Sequence, residues 1–360
     1  MIESASGGSA NIMVALALHA AKRGHDVFAI YSPDRADPAV VEALNNGGLA
    51  AVRPSQMRRS IGPWDGADGL ILRRTLTGLG KLDVIHSHSS KAGALARVFG
   101  RFGGTAQVYS PHGFYTMTGQ APFYIGPVER ALGLLTDKIV AVSDYERRHA
   151  IDLGIGSDRV AVVENGIAPY QPLPRDEARR QLGLPADAFV IGFVGRLAPQ
   201  KDPLAAVDVI DGVDPALNAN LAIIGDGDLR AEAEEKAARN GSRVLFAGSR
   251  DAKPLFSAFD CLLCTSEYEG MPVSFLEALH CGIPIISYPV GGTEELVHDR
   301  ESGFVVDPTP IAAARAIEHL ARMSPAERNR LEIACRTLAT THTDATMGDA
   351  TLELYRRLRR

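Results

Sequence analysis

Short apolar segments alternate with amphipathic helical segments along almost the whole chain, and no other feature restricts the fold as strongly. In the first half the apolar segments include residues 25–31, 83–88 and 107–110, and in the second half they include Phe189–Val194 and Cys261–Cys264. Strands that alternate with helices form βαβ units, and consecutive βαβ units build a parallel sheet. The sequence therefore predicts an α/β protein made of Rossmann-like domains.

The length and a proline-dense segment predict where the domains divide. The chain has 360 residues, which is enough for two domains that each bury a core. Residues 168–174 hold several prolines between the two alternating halves, and such segments are typical of linkers. We therefore expect an N-terminal domain at 1–168 and a C-terminal domain at 169–345, followed by a final helix within 346–360.

The composition is that of an ordinary soluble globular protein. Hydrophobic residues make up 46% of the chain and charged residues 22%. No apolar run approaches the roughly 18 residues of a membrane-spanning helix, and the N-terminus lacks the pattern of a signal peptide. The expected location is therefore the cytoplasm.

Four cysteines are too few for a disulfide framework, and Cys261 and Cys264 are expected in the core because they belong to a strand.

The charge differs between the two halves. Residues 1–170 carry 17 Lys and Arg against 15 Asp and Glu, whereas residues 171–360 carry 21 against 28. A mildly basic half can contact an anionic membrane surface, although ordinary solvated surface charge explains the same numbers. Nucleic-acid binding is not supported, because no basic stripe is interleaved with aromatic residues. A peripheral contact with the inner face of the plasma membrane is therefore a hypothesis for the first half.

A strand–loop–helix segment at residues 261–282 has the pattern of a ligand site. Pro272 is predicted at the first helical position, where its fixed φ fits and its missing N–H is no loss. Gly270 allows the backbone to approach a ligand closely. The N–H groups of the first turn, from about Met271 to residue 274, face the ligand side at the positive end of the helix dipole. Helix N-termini of this kind bind phosphorylated and oxygen-rich ligands.

The glutamates of this segment belong to a longer pattern. Glu269 and Glu277 are separated by seven residues, and Cys-Gly-Ile-Pro-Ile-Ile at 281–286 and Val-Gly-Gly-Thr-Glu-Glu-Leu at 290–296 follow them. The whole pattern resembles the retaining GT-B glycosyltransferases of family 4. This resemblance implies two Rossmann-like domains that face each other across a cleft, with a final helix that crosses back to the first domain. It also implies sugar transfer from a nucleoside-diphosphate sugar to an acceptor hydroxyl, without a metal ion or another cofactor.

A second part of the resemblance follows the first strand of the second half. Residues 192–202 place two permanent cations, Arg196 and Lys201, on one loop, with Gly195 beside them. In the family this pair holds the donor diphosphate, so the resemblance implies that Arg196 and Lys201 neutralise the leaving group. One ion pair at 4 Å is worth about 4 kcal/mol at an effective dielectric of 20. A solvated basic loop is the alternative interpretation.

The resemblance implies roles for further residues. Gly7 and Gly8 resemble the glycine turn that presents helix N–H groups to the diphosphate. His112, in the sequence Pro-His-Gly, resembles the histidine near the anomeric carbon of the donor. Glu277 is implied as the ligand of the ribose hydroxyls, and Glu269 as the residue that faces the donor sugar. The remaining donor-binding positions lie around the start of the helix, namely Gly270, Met271, Pro272 and Val273.

Two short motifs suggest metal ions but are interpreted otherwise. Asp226 and Asp228 form an Asp-x-Asp sequence at a position where family 4 has a turn on the nucleotide side. His86 and His88 project from the same face of a strand, but no carboxylate or cysteine cluster accompanies them nearby. A structural role is therefore preferred for both histidines, and no metal site is predicted.

The beginning of the chain departs from the family pattern. Most of the strand that precedes the glycine turn in the family is missing, and in a doubly wound sheet this first strand is central. We therefore expect the natural reading frame to start upstream, which makes the first strand of the N-terminal domain truncated here.

The acceptor and the reaction class remain partly open. Residues 31–38 and 88–93 resemble bacterial enzymes of exopolysaccharide or lipid-linked glycan assembly, so a glycan or lipid-linked acceptor is expected. A nucleotide-sugar 2-epimerase on the same fold is one alternative, and it would use catalytic carboxylates and histidines instead of the Arg196 and Lys201 pair. A non-catalytic binder of nucleotide sugars is the other alternative, which the curtailed first strand makes plausible.

Overall fold

The computed structural model describes residues 7–33, 36–55, 57–58 and 61–358. The chain divides into two compact units, one formed by Met1–Ala168 with His342–Arg360 and the other by Pro169–Thr341. Residues 1–6, where the sequence places the shortened first strand, lie outside the described residues. None of the helices described is both long enough and apolar enough to cross a bilayer.

The described part of the first unit contains parallel strands in two sheets. One sheet pairs β1 (Phe28–Tyr31) with β2 (Ala51–Pro54). The other has the order β3 (Val84–His88), β4 (Ala106–Ser110), β5 (Lys138–Ala141) and β6 (Val160–Val162). Helix α1 (Gly8–Lys22) precedes β1, and the helices between the strands are α2 (Pro38–Asn46), α3 (Asp65–Gly78), α4 (Ser90–Phe99), α5 (Ile125–Gly133) and α6 (Asp144–Asp152).

The second unit contains one parallel sheet. Its helices are α7 (Arg175–Leu182), α8 (Pro203–Gly212), α9 (Arg230–Asn240), α10 (Val273–His280), α11 (Thr293–Leu296), α12 (Pro310–Arg322) and α13 (Pro325–Ala339). Its strands are β7 (Phe189–Val194), β8 (Ala219–Ile224), β9 (Val244–Gly248), β10 (Cys261–Cys264), β11 (Ile285–Ser287) and β12 (Gly303–Val305). They pair in the order β12-β11-β10-β7-β8-β9. The α/β class with parallel sheets in two domains, predicted from the sequence, is confirmed.

Strand β7 is central in this sheet because it pairs with β8 on one side and β10 on the other. A strand covered by helices on both faces has a continuous apolar sequence, and the first five residues of β7 are buried. The same holds for β10, where Cys261 and Cys264 are buried as expected from their place in a strand. Burial raises the pKa of both thiols.

The final helix, α14 (Asp344–Leu358), belongs to the first unit. It begins two residues before the predicted region 346–360, because Thr343 Oγ1 accepts a hydrogen bond from the N–H of Thr346 and caps the first turn. It packs on α1, where His19 Nε2 lies 2.8 Å from Asp349 Oδ1. A Cβ on Gly348 would lie 2.4 Å from the ring of His19, so this glycine sets how closely the two helices approach.

Candidate functional site

The loops after β7 and β8 meet at the carboxyl edge of the second unit's sheet. The N–H of Leu197 donates a hydrogen bond of 3.0 Å to the carbonyl of Asp226. A Cβ on Gly225 would lie only 1.9 Å from the carbonyl oxygen of Gly195, so only glycine permits this backbone contact. The loop after β7 is therefore fixed against the loop after β8.

The same loop is tied to the segment after β10. Lys201 ends a short 3-10 turn at Pro199–Lys201, and its carbonyl accepts a hydrogen bond of 3.1 Å from Thr265 Oγ1. This places Lys201 Nζ 2.6 Å from Glu269 Oε1, with side chains that are only 20% and 9% exposed. The structure thus pairs two residues that the sequence analysis had placed on separate loops.

Two basic residues, Lys201 and Arg196, lie at this edge and differ in burial and in ion pairing. Burial lowers the pKa of Lys201 and the charge of Arg196 lowers it further, but the Glu269 carboxylate raises it enough that the net pKa lies above its ordinary value. Lys201 is therefore a cation at neutral pH. Arg196 is exposed, and its guanidinium forms no ion pair with any residue that the structure describes.

Helix α10 begins one residue later than the sequence predicts. Its first residue is Val273, and Pro272 is the N-cap with φ −65° and ψ 127°. The placement of Pro272 at the first helical position is therefore wrong, because its ψ is extended rather than helical. No side chain caps this terminus. A Cβ on Gly291 would lie 2.2 Å from the carbonyl oxygen of Glu269, so the loop after β11 packs directly on the loop that precedes the helix.

Glu277 lies inside α10 and is only 8% exposed. Burial raises the pKa of its carboxyl group to about 7, while Lys253 lowers it and Asp251 raises it by smaller amounts. Its carboxylate forms no ion pair with the residues described. The site therefore contains a desolvated carboxyl group, whose charged form would be stabilised by hydroxyl groups that donate to it.

The sequence analysis did not identify the contact between the linker and this helix. Tyr170, in the proline-dense linker, donates a hydrogen bond of 3.1 Å from its hydroxyl to the carbonyl of Glu277. Its ring stacks on His280 with centroids 4.6 Å apart, and His280 Nε2 lies 2.7 Å from the carbonyl oxygen of Tyr170. The linker is therefore fixed to α10 rather than only connecting two units.

The Asp-x-Asp sequence has a local structural role. The Asp226 carboxylate accepts hydrogen bonds of 2.8 Å from the N–H of Gly227 and from Arg230 Nη1. Within the described residues, no group of three or more His, Cys, Asp or Glu side chains is arranged to hold a metal ion. Whether the reaction proceeds without a metal ion stays a prediction.

The first unit places the predicted glycine turn at the start of α1. The helix begins at Gly8, and Gly7 is its N-cap with φ +78°, a conformation that favours glycine. No side chain caps this terminus, and its first turn contains no acidic residue. Such an N-terminus is suited to an anion, and the contact of Gly7 and Gly8 with a diphosphate stays a prediction.

Three histidines are connected at the carboxyl ends of β3 and β4. His88 Nδ1 lies 2.9 Å from His112 Nε2, and the rings of His86 and His88 stack with centroids 4.2 Å apart. Burial lowers the pKa of all three, that of His112 to about 4. The imidazoles are therefore neutral at pH 7. His88 thus contacts the candidate catalytic His112 directly, and His86 contacts it through His88; the structural role of both residues stays a prediction.

Comparison with known proteins gives two family matches and several relatives. The family model described as Glycosyltransferase Family 4 matches residues 6–170, and the one described as Glycosyl transferases group 1 matches residues 174–336. The chain is 31% identical over 309 residues to the D-inositol 3-phosphate glycosyltransferase of Thermomonospora curvata, covering 77% of this chain and 72% of that protein. It is 29% identical over 244 residues to the UDP-Gal:alpha-D-GlcNAc-diphosphoundecaprenol alpha-1,3-galactosyltransferase of Escherichia coli, covering 63% of each.

Solved structures with low sequence identity share the fold. Anabaena Alr3699/HepE in complex with UDP and glucose matches with a TM-score of 0.85 and 21% identity, over 99% of this chain and 98% of that one. WaaG, a glycosyltransferase involved in lipopolysaccharide biosynthesis, matches with a TM-score of 0.78 and 17% identity, over 99% and 98% of the two chains.

We predict that Glu277→Gln changes stability in a pH-dependent way. The carboxyl pKa is about 7 in the folded protein against a reference value of 4.5, so the folded state binds more protons between these pH values. Stability from this group is therefore lost as the pH rises through 7. Because glutamine mimics the protonated acid, the variant should lie within about 1 kcal/mol of the wild type near pH 5 and be more stable by about 1–3 kcal/mol at pH 8.

Urea unfolding at pH 5 and pH 8 without ligand measures this difference. Glu332→Gln, a substitution at an exposed glutamate of the same unit, is the control and should show no comparable change. An equal stability difference at both pH values for Glu277→Gln would contradict the prediction.

Proposed function

The chain belongs to the glycosyltransferases of family 4 and has their GT-B fold, and from this premise we propose a retaining enzyme that glycosylates a lipid-linked glycan. In this proposal the donor is a nucleoside-diphosphate sugar, and the product serves the synthesis of cell-surface polysaccharide. The observation that carries the proposal is the Lys201–Glu269 ion pair beside the exposed Arg196, at the carboxyl edge of a parallel sheet. Ligands of open α/β sheets bind at this edge.

Departure of the diphosphate is the step that these cations assist. A leaving nucleoside diphosphate gains negative charge as the glycosidic bond breaks, and preorganised cations stabilise such charge without any rearrangement. Each cation at 4 Å contributes about 4 kcal/mol at an effective dielectric of 20. We therefore propose that Arg196 and Lys201 together take the role that a metal ion has in other enzymes, in a reaction that is independent of metal.

The carboxylates have binding roles in this proposal. Glu269 holds Lys201 through one carboxylate oxygen, which leaves the other for a hydroxyl of the donor sugar. Glu277 accepts hydrogen bonds from both ribose hydroxyls, because a carboxylate has two acceptor oxygens. Neither residue acts as a nucleophile. The acceptor oxygen bonds to the anomeric carbon on the face that the diphosphate leaves, and the acceptor proton passes to the departing phosphate oxygen.

The acceptor is proposed from the relatives and from one surface of the first unit. The Escherichia coli relative is named for a diphosphoundecaprenol acceptor, and the Thermomonospora relative for D-inositol 3-phosphate. An enzyme that meets a lipid-linked acceptor works at a membrane surface, and we propose the cytoplasmic side.

The α5 surface, defined as Phe123, Tyr124, Val128 and Leu134, is suited to such contact. These side chains are 93%, 51%, 45% and 70% exposed. Glu129 of the same helix faces inward instead, where its carboxylate lies 3.0 Å from Arg97 Nη1. A charged side chain of this helix is thus buried while apolar side chains on and beside the helix are exposed, in contrast to a usual surface helix, whose apolar side faces the core.

Basic residues next to the α5 surface match an anionic bilayer. Arg130 is exposed on the helix, and Arg101 donates a hydrogen bond of 3.0 Å to the carbonyl of Leu135 just beyond it. Aromatic and aliphatic side chains flanked by arginines are typical of segments that lie in a membrane interface.

Product analysis tests the proposed reaction. The protein is incubated with UDP-, GDP- and ADP-sugars, each with N-acetylglucosaminyl-diphosphoundecaprenol, with inositol phosphate or with no acceptor. The expected result is release of nucleoside diphosphate that depends on the lipid acceptor, with retained anomeric configuration by NMR. Release with inositol phosphate alone would refute the lipid acceptor, inversion would refute the retaining mechanism, and an epimerised donor would refute transfer.

Lys201→Ala should reduce kcat/KM by about two orders of magnitude or more, as the loss of a single preorganised donor does in other active sites. The matched control is Lys236→Ala, which removes a lysine that pairs with Asp208 in the same unit and should leave activity unchanged. Steady-state kinetics of the wild type and of both variants are measured in excess chelator, and the wild type is also measured without chelator. Full activity of Lys201→Ala would contradict the leaving-group role, and loss of wild-type activity in chelator would contradict independence from metal.

Replacing both Phe123 and Tyr124 by serine should weaken binding to vesicles of phosphatidylglycerol and phosphatidylcholine by about tenfold, because burial of one large apolar side chain is worth roughly 1.5 kcal/mol or more. Co-sedimentation measures the bound fraction. Ile311→Ser is the control, since Ile311 is a 64% exposed apolar residue of the second unit. Unchanged sedimentation of the double variant would exclude the α5 surface as the membrane contact.

A further inference from the structure

The turn after β4 has an unusual backbone conformation at the candidate catalytic residue. His112 has φ +55° and Gly113 has φ +97°. Non-glycine residues adopt positive φ rarely, and such conformations persist only where the surrounding structure holds them. His112 is thus placed by contacts elsewhere, and these contacts determine where its imidazole lies.

A buried glutamate on α6 provides the contact to this turn. Glu146 is fully buried, and its Oε1 accepts a hydrogen bond of 2.5 Å from the N–H of Gly113. Its Oε2 accepts a hydrogen bond of 2.8 Å from the N–H of Val142 at the end of β5. One carboxylate therefore joins the carboxyl ends of β4 and β5 through two backbone donors.

The α6 backbone holds Glu146 in turn. Ser143 is the N-cap of α6, and its Oγ accepts a hydrogen bond of 3.1 Å from the N–H of Glu146. The sequence Ser-x-x-Glu commonly forms a capping box, in which the glutamate bonds back to its own N-cap. Here the carboxylate accepts hydrogen bonds from the N–H groups of Gly113 and Val142, so this side chain supports the turn after β4.

The imidazole of His112 is fixed from the other side. Its Nε2 lies 2.9 Å from His88 Nδ1, and His88 stacks on His86. His86 is itself held by Ser110 Oγ at 2.8 Å and by Tyr355 Oη at 2.5 Å. With Nε2 engaged, Nδ1 is the ring nitrogen of His112 that has no hydrogen-bond partner among the described residues.

We propose that Glu146 is a positioning residue of the transfer reaction, whose carboxylate fixes the His112–Gly113 backbone and thereby the direction of the His112 imidazole. The inference rests on the proposed role of His112 at the donor sugar. A carboxylate is required because both of its oxygens accept from N–H groups. A glutamine of the same shape offers one acceptor only, and its NH₂ group would face an N–H donor.

A double-mutant cycle tests the proposal. Glu146→Gln should lower kcat by about 10- to 100-fold, as small displacements of catalytic groups do, with donor KM changed by less than about threefold. His112→Ala should lower kcat at least as much. In the His112→Ala background, Glu146→Gln should lower kcat by less than about twofold, because it acts through a side chain that is already absent.

The control is Asp144→Asn, which changes an exposed carboxylate in the first turn of the same helix and should leave kcat within about twofold. If Glu146→Gln fails to fold, Glu146→Asp, which retains the charge on a shorter side chain, takes its place in the cycle. Multiplicative losses in the double variant, or full kcat of the single Glu146 variant, would overturn the positioning role. Full kcat of His112→Ala would instead refute the proposed role of His112, and with it the premise of this inference.

Discussion

The parallel pairing of β7 with β8 and β10 is the constraint on which the candidate donor site depends. Because all three strands run in the same direction, the loops that follow them emerge at one edge of the sheet. Contact between these loops then requires the glycine at position 225, whose missing Cβ leaves room for the carbonyl of Gly195. The Lys201–Glu269 ion pair forms because the pairing of β7 with β10, and the hydrogen bond from Thr265 to the carbonyl of Lys201, bring two distant segments together.

The buried ionisable groups of the candidate sites differ in the partners that compensate their charge. Lys201 and Glu269 form an ion pair, and removing either side chain would leave the other as a buried charge without its partner. Glu277 has no such pair, and burial raises its pKa to about 7. Burial also raises the pKa of Glu146 to about 7, although hydrogen bonds from Val142 and Gly113 lower it. A buried carboxylate is tolerated where hydrogen-bond donors compensate its charge. For Glu146 these donors are backbone N–H groups, and for Glu277 they are, in our proposal, the ribose hydroxyls.

The sequence predicted strands better than helix ends and loop contacts. β7 and β10 were predicted with their observed bounds, because a continuous apolar run has sharp ends. Helix α6 was missed although Ser143 and Glu146 have the spacing of a helix start. The residues of the donor loops could be identified from their pattern, but the Lys201–Glu269 pair could not, since 67 intervening residues separate them and no local rule relates them. The support of His112 by Glu146 is equally non-local, and it was missed for the same reason.

The pKa shifts also indicate which of the proposed site residues can neutralise a leaving diphosphate in the proposed reaction. Burial lowers the pKa values of His86, His88 and His112, so at neutral pH these imidazoles carry no charge and can only donate or accept hydrogen bonds. Burial lowers the pKa of Lys201, but the Glu269 carboxylate offsets this effect and the net pKa is raised, so Lys201 keeps its proton. In the proposed reaction these three imidazoles therefore add no positive charge, and the cations proposed for the leaving group, Lys201 and Arg196, both belong to the second unit.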